Sequence, residues 1–245
     1  VVHRGASDPF VVTRLPIIVE EVFAVRRWRF MGHHEAHALI GFHASPFRSA
    51  LVVSYDAGGS DGTFNAYVGV GFQLHRIARL DYNLGATYNI VAALLPEVTG
   101  EYENHASRMC ADFRDASVGP DDMWTSVYDY FDVLNSTATR NSLAGKLMGY
   151  AATGSTTAEI TGMMRSFVRN YSRLLAGDSY SVPKELIRMS CASVDGQRAL
   201  AAALQAEFEA FVKDIVAKLL ARLDAAAVPS LEGIVVTGGR ALNVL

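Results

Sequence analysis

Met31-Gly-His-His-Glu-Ala-His-Ala38 places three histidines within five residues. His33 and His37 are four apart, so on a helix they project from one face, about 40° apart around the axis. Two imidazoles on one face can share a metal ion. Two ligands seldom hold a transition metal alone, so a third is expected from elsewhere in the chain. Asp56 is the candidate, because it ends the strand-like run Ala50-Leu-Val-Val-Ser-Tyr55. The following Ala57-Gly-Gly-Ser-Asp-Gly-Thr63 is a glycine-rich turn of the kind whose backbone N–H groups can reach phosphate oxygens. It reads equally well as an ordinary hairpin turn, which Asp and Gly favour for conformational reasons.

A zinc-protease reading of the histidines fails on spacing. That chemistry needs H-E-x-x-H, and His34-Glu35-Ala36-His37 is one residue too short. The inverted form H-x-x-E-H fails because Ala36 stands where the carboxylate should be. His34, His43, His75 and His105 are not expected as ligands, although His34 is close enough to tune a metal site from behind.

Composition sets the outer bounds. The 245 residues suffice for one large domain or two lobes. Half are hydrophobic and 19% are charged, as in ordinary globular proteins. A net charge of -3 gives no broad attraction to nucleic acid or to anionic membrane. No apolar run reaches the roughly 18 residues of a spanning helix, and Val1-Val-His-Arg-Gly5 does not open a signal peptide. Cys110 and Cys191 read as two reduced thiols in a cytoplasmic protein. The chain starts without Met and stops just after a strand, a glycine turn and a helix start. It therefore reads as an excerpt from a longer protein.

The remaining elements follow from periodicity. Ile17 to Phe23 fits strand or helix, and Arg26 to Met31 a short strand. Glu35 to Phe42 reads as helix, ended by Ser45-Pro46. Leu51 to Tyr55 and Thr63 to Val70 read as a hairpin with a glycine tip, and Phe72 to Leu80 as a third strand. A helix is expected from Leu84 to Leu95. Residues 100–140 read as an insertion with little regular pattern. Leu143-Ala-Gly-Lys-Leu-Met-Gly-Tyr-Ala151 is rich in small residues, which suits close packing beside a ligand. Leu200, Leu204, Phe208, Phe211, Ile215, Leu219 and Leu223 mark one buried face of a helix over 197–223. Leu231 to Thr237 reads as a strand buried on both faces. Gly238-Gly239 then turns into a helix start, a geometry that holds phosphate or simply connects strand to helix.

Taken together, these stretches resemble the NodU/CmcH family of carbamoyltransferases. The resemblance rests on His33-His-Glu-Ala-His-Ala38, Ser45-Pro-Phe47, Leu51-Val-Val-Ser-Tyr-Asp-Ala-Gly-Gly-Ser-Asp-Gly62, Leu84-Gly-Ala-Thr-Tyr88, Lys146-Leu-Met-Gly-Tyr-Ala151 and Gly238-Gly-Arg-Ala-Leu-Asn243, in family order. It implies an α/β fold of actin-like ATPase (RNase-H-like) lobes, with 1–48 closing a truncated first lobe and 49–245 forming most of the second. It implies a divalent metal, Fe2+ by preference, on His33, His37 and Asp56. It also implies ATP or carbamoyl-adenylate against Gly58, Gly59, Lys146, Gly238, Gly239 and Asn243. The implied reaction passes a carbamoyl group, made from carbamoyl phosphate and ATP, to the hydroxyl of a small molecule. A downstream domain forming the carbamoyl-adenylate is expected, and no general base is identifiable. Gly145 before Lys146 and the length of 100–140 depart from the family pattern. Two alternatives stay open: a tRNA threonylcarbamoyl transferase-like protein, and a non-catalytic nucleotide-binding module of the same fold.

Overall fold

The computed structural model describes residues 15–28, 31–100, 103–115, 123–124, 137–174 and 182–239. Arg29, Phe30, Asn243 and most of the expected insertion lie outside the described residues. Contacts divide the chain into two compact units, Val1–Gly85 with Val216–Val244, and Ala86–Ile215 with Leu245.

The first unit opens with helix α1 (Leu15–Val22). That settles the ambiguous run at 17–23 as helix as far as Val22. The strand expected over Arg26–Met31 is not borne out by its described residues, Arg26 to Trp28 and Met31, which carry no strand. Trp28 instead folds back, and its indole N–H donates to Glu20 at 2.6 Å. Helix α2 (His33–Ala44) follows, then strands β1 (Ser49–Gly59), β2 (Gly62–Val70) and β3 (Gln73–Leu80). Strand β6 (Gly233–Thr237) completes a mixed sheet in the order β3-β2-β1-β6. β1 is antiparallel to β2 and parallel to β6, so it is central and flanked on both sides.

The period of two along β1 explains its composition. Ala50, Val52 and Ser54 point to one sheet face, Leu51, Val53 and Tyr55 to the other, and all six are buried. On the first face, Ala38 and Phe42 of α2 pack against Ala50, Val52, Tyr67 and Val235. That layer lays α2 along the sheet and fixes which of its faces remains free.

β6 differs from the expectation of a strand buried on both faces. Val235 is 9% exposed, but Ile234 and Val236 are 42% and 46% exposed. The cause is position: within the described sheet β6 is an edge strand, and only its Val235 face meets α2.

In the second unit, α3 (Leu84–Leu94, which begins in the first unit) and α4 (Pro96–Thr99) lead into α5 (Glu103–Asp115). α5 corrects the reading of 100–140 as lacking pattern. Ala106, Met109, Cys110 and Phe113 are buried at steps of three, one and three, a helical stripe that the polar residues around it obscure. A short ladder joins β4 (Met123–Trp124) to β5 (Val182–Pro183). Helices α6 (Thr137–Ala151), α7 (Ala158–Leu174), α8 (Lys184–Ala192) and α9 (Val194–Ala225, whose end from Val216 belongs to the first unit) supply the rest. α9 carries the expected stripe, with Leu200, Leu204, Phe208, Phe211, Ile215 and Leu219 buried, while Leu223, its expected last member, is half-buried. The buried Tyr88 hydroxyl donates to Gln205 at 3.1 Å. The buried Glu207 carboxylate accepts from Arg165 and Arg169, each at 3.0 Å. Both partners matter, because an unpaired charge at that depth would cost several kcal/mol, on the order of 3–5.

The two cysteines are not free thiols. Cys110 on α5 and Cys191 on α8 form a disulfide, with Cα atoms 5.3 Å apart. A separation of 81 residues suggests no pairing, but packing of α5 on α8 sets the spatial distance. Alkylation of the denatured, unreduced protein should modify neither cysteine, and prior reduction should expose two. Two alkylated thiols without reductant would contradict the pairing.

Candidate metal centre

The site is built from the start of α2. Its N-cap is Gly32, which has no side chain to satisfy the first helical amides. The tip of the β1–β2 hairpin does so instead. The His33 N–H donates to Ser60 Oγ at 3.2 Å. The His34 and Glu35 N–H groups donate to the two oxygens of Asp61, at 2.9 Å and 3.2 Å. Glu35 reaches back to accept from the Gly32 N–H at 3.4 Å. Asp61 also sets a negative charge against the positive end of the helix dipole. Burial pushes the Asp61 carboxyl up, but the His34 and Glu35 amides outweigh it and hold it below its ordinary value.

With α2 held there, His33 and His37 face the end of β1. Their rings lie 4.6 Å apart and nearly perpendicular, at 80°. His33 Nε2 is 3.2 Å from Asp56 Oδ2, and His37 Nε2 is 3.8 Å from the same oxygen. One donor atom from each of the three residues lies within 4.8 Å of the others. Metal–ligand bonds of about 2.0–2.2 Å place neighbouring donors roughly 3–3.5 Å apart, so the set fits a divalent ion after small adjustments. The side chains are 20%, 36% and 21% exposed, which leaves an approach from solvent. No other group of three such side chains converges among the described residues.

β6 closes the site from the far end of the chain. Thr237 Oγ1 donates to the His37 carbonyl at 3.1 Å, and the Gly239 N–H donates to Asp56 Oδ2 at 3.1 Å. Gly238 has φ of +100°, and a Cβ there would collide with the Tyr55 carbonyl. A Cβ on Gly59 would lie 2.7 Å from the His33 side chain. These two glycines are therefore demanded by the close approach of the strands to the site. Tyr55 beside Asp56 is buried, which pushes its phenol up to about 12 and keeps it protonated.

The structure thus brings together His33, His37 and Asp56, with Gly59, Gly238 and Gly239 beside them. Gly58 is exposed, with open space where a Cβ would stand. Lys146 is exposed on α6 in the second unit. Gly145 and Gly149 there also face open space, so tight packing does not explain them. His43 stacks on Phe72 at 6.4 Å, and His75 is exposed on β3. His34 is buried and points into the protein. Sequence reasoning misses Ser60, Asp61 and Thr237 in these roles. Ser60-Asp61 has ordinary turn composition, and only the fold shows that this turn caps α2.

A family model described as the carbamoyltransferase N-terminus matches residues 19–245. The chain belongs to the carbamoyltransferase family. No curated protein matches it. The matched span of this carbamoyltransferase includes all three converging side chains and the hairpin and β6 contacts that orient them. No described helix is long and apolar enough to cross a membrane.

The cap makes a measurable contribution to this carbamoyltransferase. Replacing Asp61 with Ala should destabilise it by about 1–2 kcal/mol in urea unfolding at neutral pH. The folded-state pKa of Asp61 is depressed, so its contribution is complete above the unfolded value near 3.9 and is lost as pH falls through the folded value. The gap between wild type and variant should hold from pH 7 to about 5 and close in more acid solution. A gap that widens on acidification would contradict the cap.

Proposed function

We propose that this chain is the metal-bearing part of an O-carbamoyltransferase of the NodU/CmcH type, built on actin-like ATPase lobes. In this reading residues 1–48 end a first lobe and 49–245 form most of a second. The intact protein would move a carbamoyl group, activated as carbamoyl-adenylate from carbamoyl phosphate and ATP, to the hydroxyl of a small molecule. One observation carries the proposal: in a carbamoyltransferase family member, two imidazoles and one carboxylate converge at a solvent-accessible point between glycine turns.

His33 and His37 would hold a divalent ion, iron by preference, through Nε2, and Asp56 through a carboxylate oxygen. Such an ion supplies charge neutralisation at phosphate and polarisation of a carbonyl. The protein's own groups do the positioning. Asp56 is oriented by the Gly239 amide, and the His37 backbone by Thr237. Backbone at Gly59, Gly238 and Gly239 lies next to the ligand set without side-chain bulk, as an anionic substrate needs, and the family resemblance assigns Gly58 to the nucleotide with them. Lys146 and Asn243 are assigned to the nucleotide by the family resemblance. The net charge of -3 gives no broad attraction to a tRNA acceptor.

Expressed from its complete reading frame and purified without oxygen, the protein should carry one divalent ion per chain and consume carbamoyl phosphate only when ATP is present. His33→Ala should lose the ion. A metal-free protein that leaves carbamoyl phosphate intact would overturn the proposal and leave a nucleotide-binding module.

A further inference from the structure

His34 lies between the two histidines assigned to the metal but does not share their face. Adjacent residues on a helix are about 100° apart, so its ring points to the sheet while His33 points to the site. The ring is fully buried. Its Nε2 is 3.0 Å from the Gly62 carbonyl, which can only accept, so Nε2 carries the hydrogen. Nδ1, 2.9 Å from Ser54 Oγ, therefore accepts from the Ser54 hydroxyl. The ring thus ties α2 to β1 and to the start of β2 at once.

The placement of Ser54 gives these bonds a second consequence. It precedes Asp56 by two residues on β1, and in register it faces Asn65 of β2 and Thr237 of β6. Ser60 and Asp61 fix the end of α2 along its axis, but bonds to end amides control rotation about that axis weakly. A histidine Nε2 stands about 6–7 Å from the helix axis, so a turn of about 10° moves it by about 1 Å. Metal sites tolerate about 0.2 Å in ligand distance. Packing of Ala38 and Phe42 on the sheet sets which face of α2 is buried, and a directional side-chain bond to the strand that carries Asp56 adds a finer restraint on its rotation.

We propose that His34 is a positioning residue: through Ser54 and Gly62 it fixes the rotation of α2 and so sets the gap between the His33 and His37 imidazoles and Asp56. The proposal rests on the metal reading above, and its test separates the two. The probe is Co2+ added to the full-length protein, followed by its visible absorption, with Ser54→Ala and His34→Leu as variants. Wild type should bind one Co2+, and His33→Ala should not. Ser54→Ala, which removes one bond and one atom, should weaken Co2+ binding about tenfold and change the absorption bands. The melting temperature of its metal-free form should fall by only a few degrees. His34→Leu should weaken binding further; if it does not fold, Ser54→Ala decides alone. Unchanged affinity and bands in folded variants would reduce His34 to a core histidine and overturn the proposal. If wild type binds no Co2+, the metal reading fails by itself. The His34 proposal is then read from the histidine 15N spectrum of the metal-free protein. Ser54→Ala should shift the His33 and His37 ring signals, and unmoved signals would overturn it.

Discussion

The site depends on a helix that does not cap itself. Gly32 leaves the first amides of α2 unsatisfied, and Ser60 and Asp61 at the hairpin tip take them up. The bond at His34 is half-buried and the other two are exposed, so the hairpin tip stabilises the helix end by the amount of an ordinary N-cap, about 1–2 kcal/mol. This makes the distance between residues 33 and 56 a consequence of hydrogen bonding rather than of chain connectivity. The glycines follow from the same constraint. Gly59 admits the His33 ring, and Gly238 admits the Tyr55 carbonyl. Both positions therefore have a structural reason that is independent of any phosphate.

A second constraint comes from the parallel pairing of β1 with β6. It places Ser54 opposite Thr237 and puts Gly239 within reach of Asp56, across 183 residues of sequence. Two segments at opposite ends of the chain thus orient one carboxylate and one histidine backbone. The family match covers both segments. In the proposed carbamoyltransferase chemistry, this arrangement keeps the ligand set fixed while one side stays open to substrate.

Much of this is legible in the sequence, for identifiable reasons. The four-residue spacing of His33 and His37 carries its geometry in the helical period. The alternation from Ala50 to Tyr55 shows a strand, and the flanking glycines show where it turns. The α9 stripe is plain because it runs over many turns. What cannot be read is long-range. Ser60-Asp61 looks the same whether it caps a helix or only turns a hairpin. Cys110 and Cys191 give no sign of pairing, because α5 itself is hidden among polar residues. β6 has the composition of a doubly buried strand, yet Ile234 and Val236 are half exposed because the sheet places it at an edge. His34 looks like one more polar residue beside a metal site, and only its burial between Ser54 and Gly62 shows which way it faces.

The central claim is that two imidazoles and one carboxylate share one cation. Anomalous diffraction from crystals of the full-length protein soaked in Co2+ tests it most directly. The account predicts one strong peak within bonding distance of His33 Nε2, His37 Nε2 and a carboxylate oxygen of Asp56. A cluster that stays empty in a solvent-accessible crystal, or a peak held by other residues, would contradict it.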